Sequence, residues 1–159
     1  MNQRGREDLG NRAEIRAVSP SQVQEFRYQV LQPKDKRHSI YELDDAPKTL
    51  HIGAFVGVDL AAVATVCPQP MPNSSETGEW RLRGMATWAA YRGIGLGKRL
   101  TQACLDYARS EHGSLVWCSA RLSAVGFYRS LGFEEMGKPF SLLEYSRESY
   151  ILMRFTLPR

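Results

Sequence analysis

Between residues 92 and 98 the chain reads Arg92-Gly93-Ile94-Gly95-Leu96-Gly97-Lys98, three glycines at alternate positions flanked by two positive charges. Without side chains the backbone can turn sharply and approach a ligand closely. The apolar spacing that follows predicts a helix, whose unpaired N–H groups and positive dipole end would face the same spot. With Arg92 and Lys98 added, the pattern reads as a cradle for a phosphorylated ligand. Two other phosphate motifs fail. A dinucleotide fingerprint needs glycine where Lys98 stands, and a Walker A loop needs glycine at Arg92 and a hydroxyl at Arg99. A second match to the Walker spacing, Gly132 to Lys138, ends in Pro139 and lies in a strand region. Cys67, Cys104 and Cys118 sit in or beside apolar stretches, and His38, His51 and His112 are scattered, so no metal site is expected.

The loop must be carried by a strand before it and a helix after it. Trp80 to Thr87 alternates in polarity and reads as the strand. Leu96, Leu100, Ala103, Cys104, Tyr107 and Ala108 form a one-sided helical stripe, with Gly113 as its left-handed cap. Upstream, Ile15 to Val18 is a short strand. Ser19, Pro20 and Gln22 then open a helix that Pro33 ends, through a capping box and a first-turn proline. Lys34 to Lys48 reads as a long surface loop, and Leu50 to Val58 with Leu60 to Val66 as an antiparallel hairpin. Leu115 to Cys118 is a buried strand, Ser123 caps a short helix ending at Gly132, and strands follow near Phe133 to Met136 and Tyr150 to Leu157. Adjacent strands mixed with strand–helix–strand crossovers imply an α/β (α+β) fold. Its central sheet is mixed and mostly antiparallel, of about six to seven strands, with helices on both faces.

The 159 residues, 43% hydrophobic and 24% charged, suit one ordinary globular domain. Residues 1 to 13, with Arg4, Arg6 and Arg12, are expected to be a flexible basic tail, and 14–159 a single domain. No apolar run suits a secretory signal or a membrane span, and the odd cysteine count suits a reduced, cytoplasmic setting. A net charge of +4 favours an anionic ligand; without an aromatic-interleaved basic motif, nucleic acid is not expected as a partner, nor is a membrane.

The run Arg92 to Gly97 resembles the [RQ]-x-x-G-x-[GA] signature of the GNAT superfamily of N-acetyltransferases. Some 30 residues on, Phe127-Tyr128-Arg129-Ser130-Leu131-Gly132-Phe133 is similar to that family's F-Y-x-x-x-G-F segment. The stretches Trp80 to Thr87 and Cys118 to Arg121 resemble small bacterial members of the ElaA-like type. The resemblance runs from about Ile15 to the end and implies an acyl-CoA N-acyltransferase fold with splayed central strands. It implies acetyl-CoA as co-substrate, with the thioester beside Met85, Ala86 and Thr87, and the pyrophosphate on the amides of Arg92, Gly93, Ile94, Gly95, Leu96, Gly97 and Lys98. Ala124 and Phe127 would complete that site, and no metal is called for.

In such an enzyme a neutral amine attacks the thioester carbonyl, and Tyr128 matches the tyrosine that returns a proton to the departing thiolate. Glu79, at the start of the cofactor strand, is the leading candidate for the base, with Glu76 and His51 behind it. Arg121 stands where many members carry asparagine. The alternative is a non-catalytic acyl-CoA sensor, which would keep the loop without a usable acid and base. A Cys118–His51 nucleophile has no triad signature behind it. The amine acceptor is to be set by Lys34 to Lys48 and by the last strands and their connection; acyl preference and homodimer formation stay open.

Overall fold

A computed structural model describes residues 2–142 and 147–159. Its strands are β1 (Glu14–Ala17), β2 (Leu50–Val56), β3 (Asp59–Pro68), β4 (Glu79–Thr87), β5 (Leu115–Arg121), β6 (Glu134–Ser141) and β7 (Ser149–Thr156). They form one sheet in the order β1-β2-β3-β4-β5-β7-β6, antiparallel throughout except where β4 meets β5. The helices are α1 (Gln3–Arg12), α2 (Pro20–Leu31), α3 (Leu96–Ser110) and α4 (Val125–Ser130). The parallel pair is joined through α3, as a parallel connection requires. Of the expected loop between the last two strands, residues 143–146 lie outside the described residues.

Along β4 the side chains alternate between two layers. Trp80 and Leu82 enter the main core with Leu100, Cys104 and Ala108 of α3, while Ala86 joins Val23 and Phe26 of α2 and Val63 of β3 in a smaller one. The switch of face comes from a bulge. Thr65 stands opposite Arg83 but Val63 opposite Ala86, so Gly84 and Met85 share one partner position. Gly84 sits at φ 64°, and a Cβ there would lie 2.8 Å from the Arg27 guanidinium and 3.0 Å from the Tyr41 ring. Only glycine meets both demands.

The expected capping box is present: Ser19 accepts from the Gln22 amide at 3.1 Å and Gln22 accepts from the Ser19 amide at 2.9 Å. Three local readings are corrected. The left-handed residue after α3 is His112 (φ 63°), not Gly113. Gly113 is needed for space instead, since a Cβ would fall 2.7 Å from Trp80. Ala124, without a capping side chain, occupies the position given to Ser123 before α4. Residues 3–12 form a helix rather than a flexible tail, with Leu9 packed on the main core and Gly10 buried.

The Lys34 to Lys48 segment is on the surface only in part, because Ser39 and Asp44 are buried. Arg27, fully buried on α2, donates to both Asp44 carboxylate oxygens (2.7 and 3.1 Å), to the Ser39 carbonyl (3.0 Å) and to Thr65 Oγ1 (2.8 Å). The Tyr41 amide and Gln24 also donate to Asp44, at 2.9 and 3.1 Å. His51 Nε2 faces the Asp44 carbonyl at 2.9 Å and must carry the proton, so Nδ1 accepts from the Thr65 hydroxyl at 2.7 Å. One buried network therefore ties α2, the connection after it, β2 and β3 together.

Candidate active site

Pairing between β4 and β5 stops early. Glu79, Trp80 and Arg81 stand opposite Leu115, Val116 and Trp117, and beyond Arg81 and Trp117 the two strands are not paired with each other. Yet β4 runs on to Thr87 and β5 to Arg121. The result is a gap between splayed parallel strands, whose inner backbone groups lack the ladder partners a sheet normally supplies. The bulge at Gly84 and Met85 turns β4 within that stretch.

At the open end of β4 stands the glycine loop. Ile94 and Leu96 are buried and anchor it, while Arg92, Gly93, Gly95 and Lys98 are exposed. Gly93 and Gly95 take φ of 75° and 89°, and a Cβ on Gly95 would meet nothing, so conformation alone demands glycine there. Gly95 is also the N-cap of α3 and has no side chain to cap it. The first helical bond runs from the Arg99 amide to the Gly95 carbonyl at 3.2 Å. The amides of Leu96, Gly97 and Lys98 precede it and face out of the helix start, an arrangement that suits an anion.

Residues far apart in sequence meet on this side of the gap. A Cβ at Gly97 would lie 3.3 Å from the Phe127 ring and 3.6 Å from the Met85 sulfur, so loop, β4 and α4 converge there. Tyr128 is buried, with its ring edge-on to Phe127 (5.0 Å) and Phe133 (5.3 Å). Burial, reinforced by Cys118 and Cys104 nearby and opposed by Arg121, pushes its phenol well above the ordinary value of 10. It holds its proton throughout the neutral range. Gly132, at φ 101°, turns the chain under this cluster against Phe155.

Other expected residues stand elsewhere. Glu79 lies at the paired end of β4, where its carboxylate accepts from the Met71 amide at 3.0 Å. Glu76 is exposed on the preceding loop. His51 is held on both ring nitrogens in the buried network and has no free lone pair to act as a base. Cys118 is not brought to it, and burial pushes the Cys118 thiol up to about 12 against the pull of Arg81, which leaves no thiolate for a nucleophile. Arg121 pairs with Glu148 at 3.0 Å. Among the described residues no group of three or more His, Cys, Asp or Glu could hold a metal ion, and no helix is long and apolar enough to cross a membrane.

Two features of the site were not singled out from sequence. The first is α1, which docks on the back of the glycine loop. Arg99 donates to the Gly10 carbonyl (2.8 Å) and the Ala13 carbonyl (2.5 Å), Arg6 donates to the Arg92 carbonyl (2.5 Å), and a Cβ on Gly10 would fall 1.7 Å from the Ile94 carbonyl oxygen. No side chain fits at Gly10 with the helix in place. Gly10→Val is therefore expected to detach α1, raising amide hydrogen exchange across residues 3–12 to near the unprotected rate while the sheet stays protected. Unchanged protection would show that the contact is not needed.

The second feature is the pair Arg81 and Arg83, on the α2 face of β4. Each has a buried Nε without a hydrogen-bond partner among the described residues, a kind of omission that costs about 1–3 kcal/mol. The visible signal was two arginines at an i, i+2 spacing on a strand with Trp80 and Leu82 between and beside them.

Comparison with known proteins agrees with this geometry. The acetyltransferase (GNAT) domain family matches residues 14–142. YitI of Bacillus subtilis, an uncharacterized N-acetyltransferase, is 34% identical over 131 residues, which span 81% of this chain and 87% of YitI. Among solved structures, an acyl-CoA N-acyltransferase from Pseudomonas aeruginosa superposes with a TM-score of 0.68 at 20% identity, covering 91% of this chain and 99% of that one. The ribosomal-protein-S18-alanine N-acetyltransferase of Escherichia coli gives 0.69 at 18%, covering 92% and 95%. Matched family, shared fold and splayed strands lead to one conclusion: the chain belongs to the GNAT family of acyl-CoA N-acyltransferases.

Proposed function

We propose that this chain transfers the acetyl group of acetyl-CoA directly to an amine, with Tyr128 as the acid that protonates the leaving thiolate. The observation that carries this reading is the unpaired stretch of β4 and β5, with an anion-ready helix start at one end and a protonated, buried phenol on the α3 side. The pyrophosphate takes the loop amides from Arg92 through Lys98, with the charges of Arg92 and Lys98 beside it. The pantetheine arm adds itself to the free edge of β4 inside the gap, past Phe127 and Ala124. A backbone N–H of Met85 to Thr87 receives the carbonyl oxygen as negative charge grows on it.

The amine first loses a proton, which for a lysine-like group with a reference value of about 10.4 limits the reactive fraction at neutral pH. Its nitrogen forms the new C–N bond, the C–S bond breaks, and the thiolate takes the Tyr128 proton. The remaining ammonium proton then leaves and restores the phenol. Glu79 stands seven residues before Ala86, about 20 Å along the strand, with its carboxylate tied to Met71. It serves as a base only through a chain of water.

The test is an acceptor screen with acetyl-CoA that follows release of free thiol. Transfer to at least one amine class, with a one-to-one ratio of thiol to acetylated product, is the expected result. Tight CoA binding without transfer to any amine would point to a sensor instead.

A further inference from the structure

Tyr128 packs in the α3-side core, and Phe127 meets the glycine loop and Met85; on the reading above the donor takes that side, so the acceptor enters from the other face. Arg81 and Arg83 stand there. Trp80 and Leu82, which alternate with them, are buried under α3, and this fixes the arginines on the α2 side. Arg81 is the last residue of β4 paired with β5, so it marks the apex of the gap, and Arg83 follows inside the splayed part.

Both guanidinium groups are held but not neutralised. That of Arg81 lies 4.8 Å from the Trp117 ring, with only a long contact of 3.5 Å to Gln69 Oε1. That of Arg83 lies 3.9 Å from the ring of Tyr41, which also takes Arg27 at 3.7 Å. Neighbouring arginines have carboxylates: Arg27 has Asp44, Arg121 has Glu148 and Arg154 has Glu134. Among the described residues neither Arg81 nor Arg83 has a carboxylate within ion-pair distance, although Asp44, already paired with Arg27, acts on Arg83 from farther away; their buried Nε atoms, like that of Arg27, have no acceptor. Burial, and the charge of Arg83, lower Arg81 to about 10, and burial, with the charge of Arg27, lowers Arg83. Stacking on an aromatic ring fixes the plane of a guanidinium and leaves its N–H edge for a planar or tetrahedral oxyanion.

We infer that the amine acceptor of this chain also carries an oxyanion, a carboxylate or a phosphate, which Arg81 and Arg83 bind at the apex of the gap. The inference rests on the acyl-transfer reading above and names its substrate class. Arg83 precedes Ala86 by three residues with a bulge between, so anion and amine sit about 7–10 Å apart, a separation of several bonds. An ω-amino acid meets that spacing and a simple α-amino acid does not.

The experiment compares hexylamine, ε-aminocaproate and aminohexyl phosphate as acceptors at saturating acetyl-CoA. The expected result is that one or both anionic amines exceed hexylamine in kcat/KM at least about tenfold, mainly through KM. The better of the two identifies the oxyanion. In Arg81→Met and Arg83→Met, checked for folding by thermal unfolding, the ratio of anionic to neutral acceptor falls toward one. Equal use of all three amines by the unaltered chain, or a preference that survives in both variants, overturns the inference and leaves acyl transfer standing. If no amine is acetylated, the transfer reading fails and binding decides: N-acetyl-ε-aminocaproate is titrated into the CoA-loaded chain against N-hexylacetamide. Selective binding of the anion, lost in Arg83→Met, supports the anion site, and its absence overturns it.

Discussion

Replacing Tyr128 by phenylalanine is expected to lower kcat by about ten- to a thousandfold, with little change in the affinity for CoA. The substitution keeps the ring that packs edge-on against Phe127 and Phe133, so the aromatic cluster survives and only the hydroxyl is lost. A structural role alone would leave turnover unchanged. A role as acid shows first with slow leaving groups, and a thioester made with a more acidic thiol should recover part of the lost rate. Pre-steady-state measurement separates the chemical step from product release; an unchanged chemical step in Tyr128→Phe would remove the residue from the mechanism.

The largest effect on stability is expected at Asp44. In Asp44→Ala the guanidinium of Arg27 loses two short hydrogen bonds while remaining fully buried, and leaving a buried charge without its partner costs about 3–5 kcal/mol. Domains of this kind hold about 5–15 kcal/mol in all, so thermal unfolding should shift down sharply. The double variant Arg27→Met with Asp44→Leu removes both charges and should recover much of the loss. Burial alone would raise the Asp44 carboxyl, but hydrogen bonds from Arg27 and the Tyr41 amide outweigh it and hold the group below its ordinary 3.8. Because the folded value lies below the unfolded one, this contribution is complete above about pH 4 to 5 and is lost as pH falls through the folded value. Asp44→Ala should therefore flatten the acid limb of the stability profile. An unflattened limb would assign acid lability to other carboxylates.

Sequence order predicted the sheet, both long helices and the glycine loop before α3 because each rests on local rules. The Ser19 to Gln22 box, the stripe from Leu96 to Ala108 and the glycines at 93 and 95 act within a few residues of themselves. What escaped was set across distance. Asp44 looks like part of a solvated acidic run until Arg27 and Thr65 arrive from other elements. The helix α1, rich in arginine, has little apolar surface of its own and is held by Arg99 and by the missing side chain of Gly10. The anionic-acceptor reading depends on which face Arg81 and Arg83 take and on their having no ion-paired carboxylate among the described residues, neither of which a strand pattern specifies. At β5 and β6 the strands run three and five residues past their expected ends, to Arg121 and Ser141, because β7 supplies partners that local pattern cannot show.

The docking of α1 against the back of the cofactor loop makes the two a linked equilibrium. Gly10 touches the Ile94 backbone and Arg6 holds the Arg92 carbonyl, so the loop conformation proposed above to receive pyrophosphate is also the one that receives the helix. Reciprocity then fixes a quantitative relation: whatever factor a docked α1 contributes to CoA affinity, bound CoA contributes to the docking of α1, with the same sign and size. A segment outside the matched family region, residues 14–142, thus becomes an adjustable setting on donor affinity. On the proposed donor site, truncation, fusion or a partner that captures those ten residues would tune donor affinity without touching a residue of the gap.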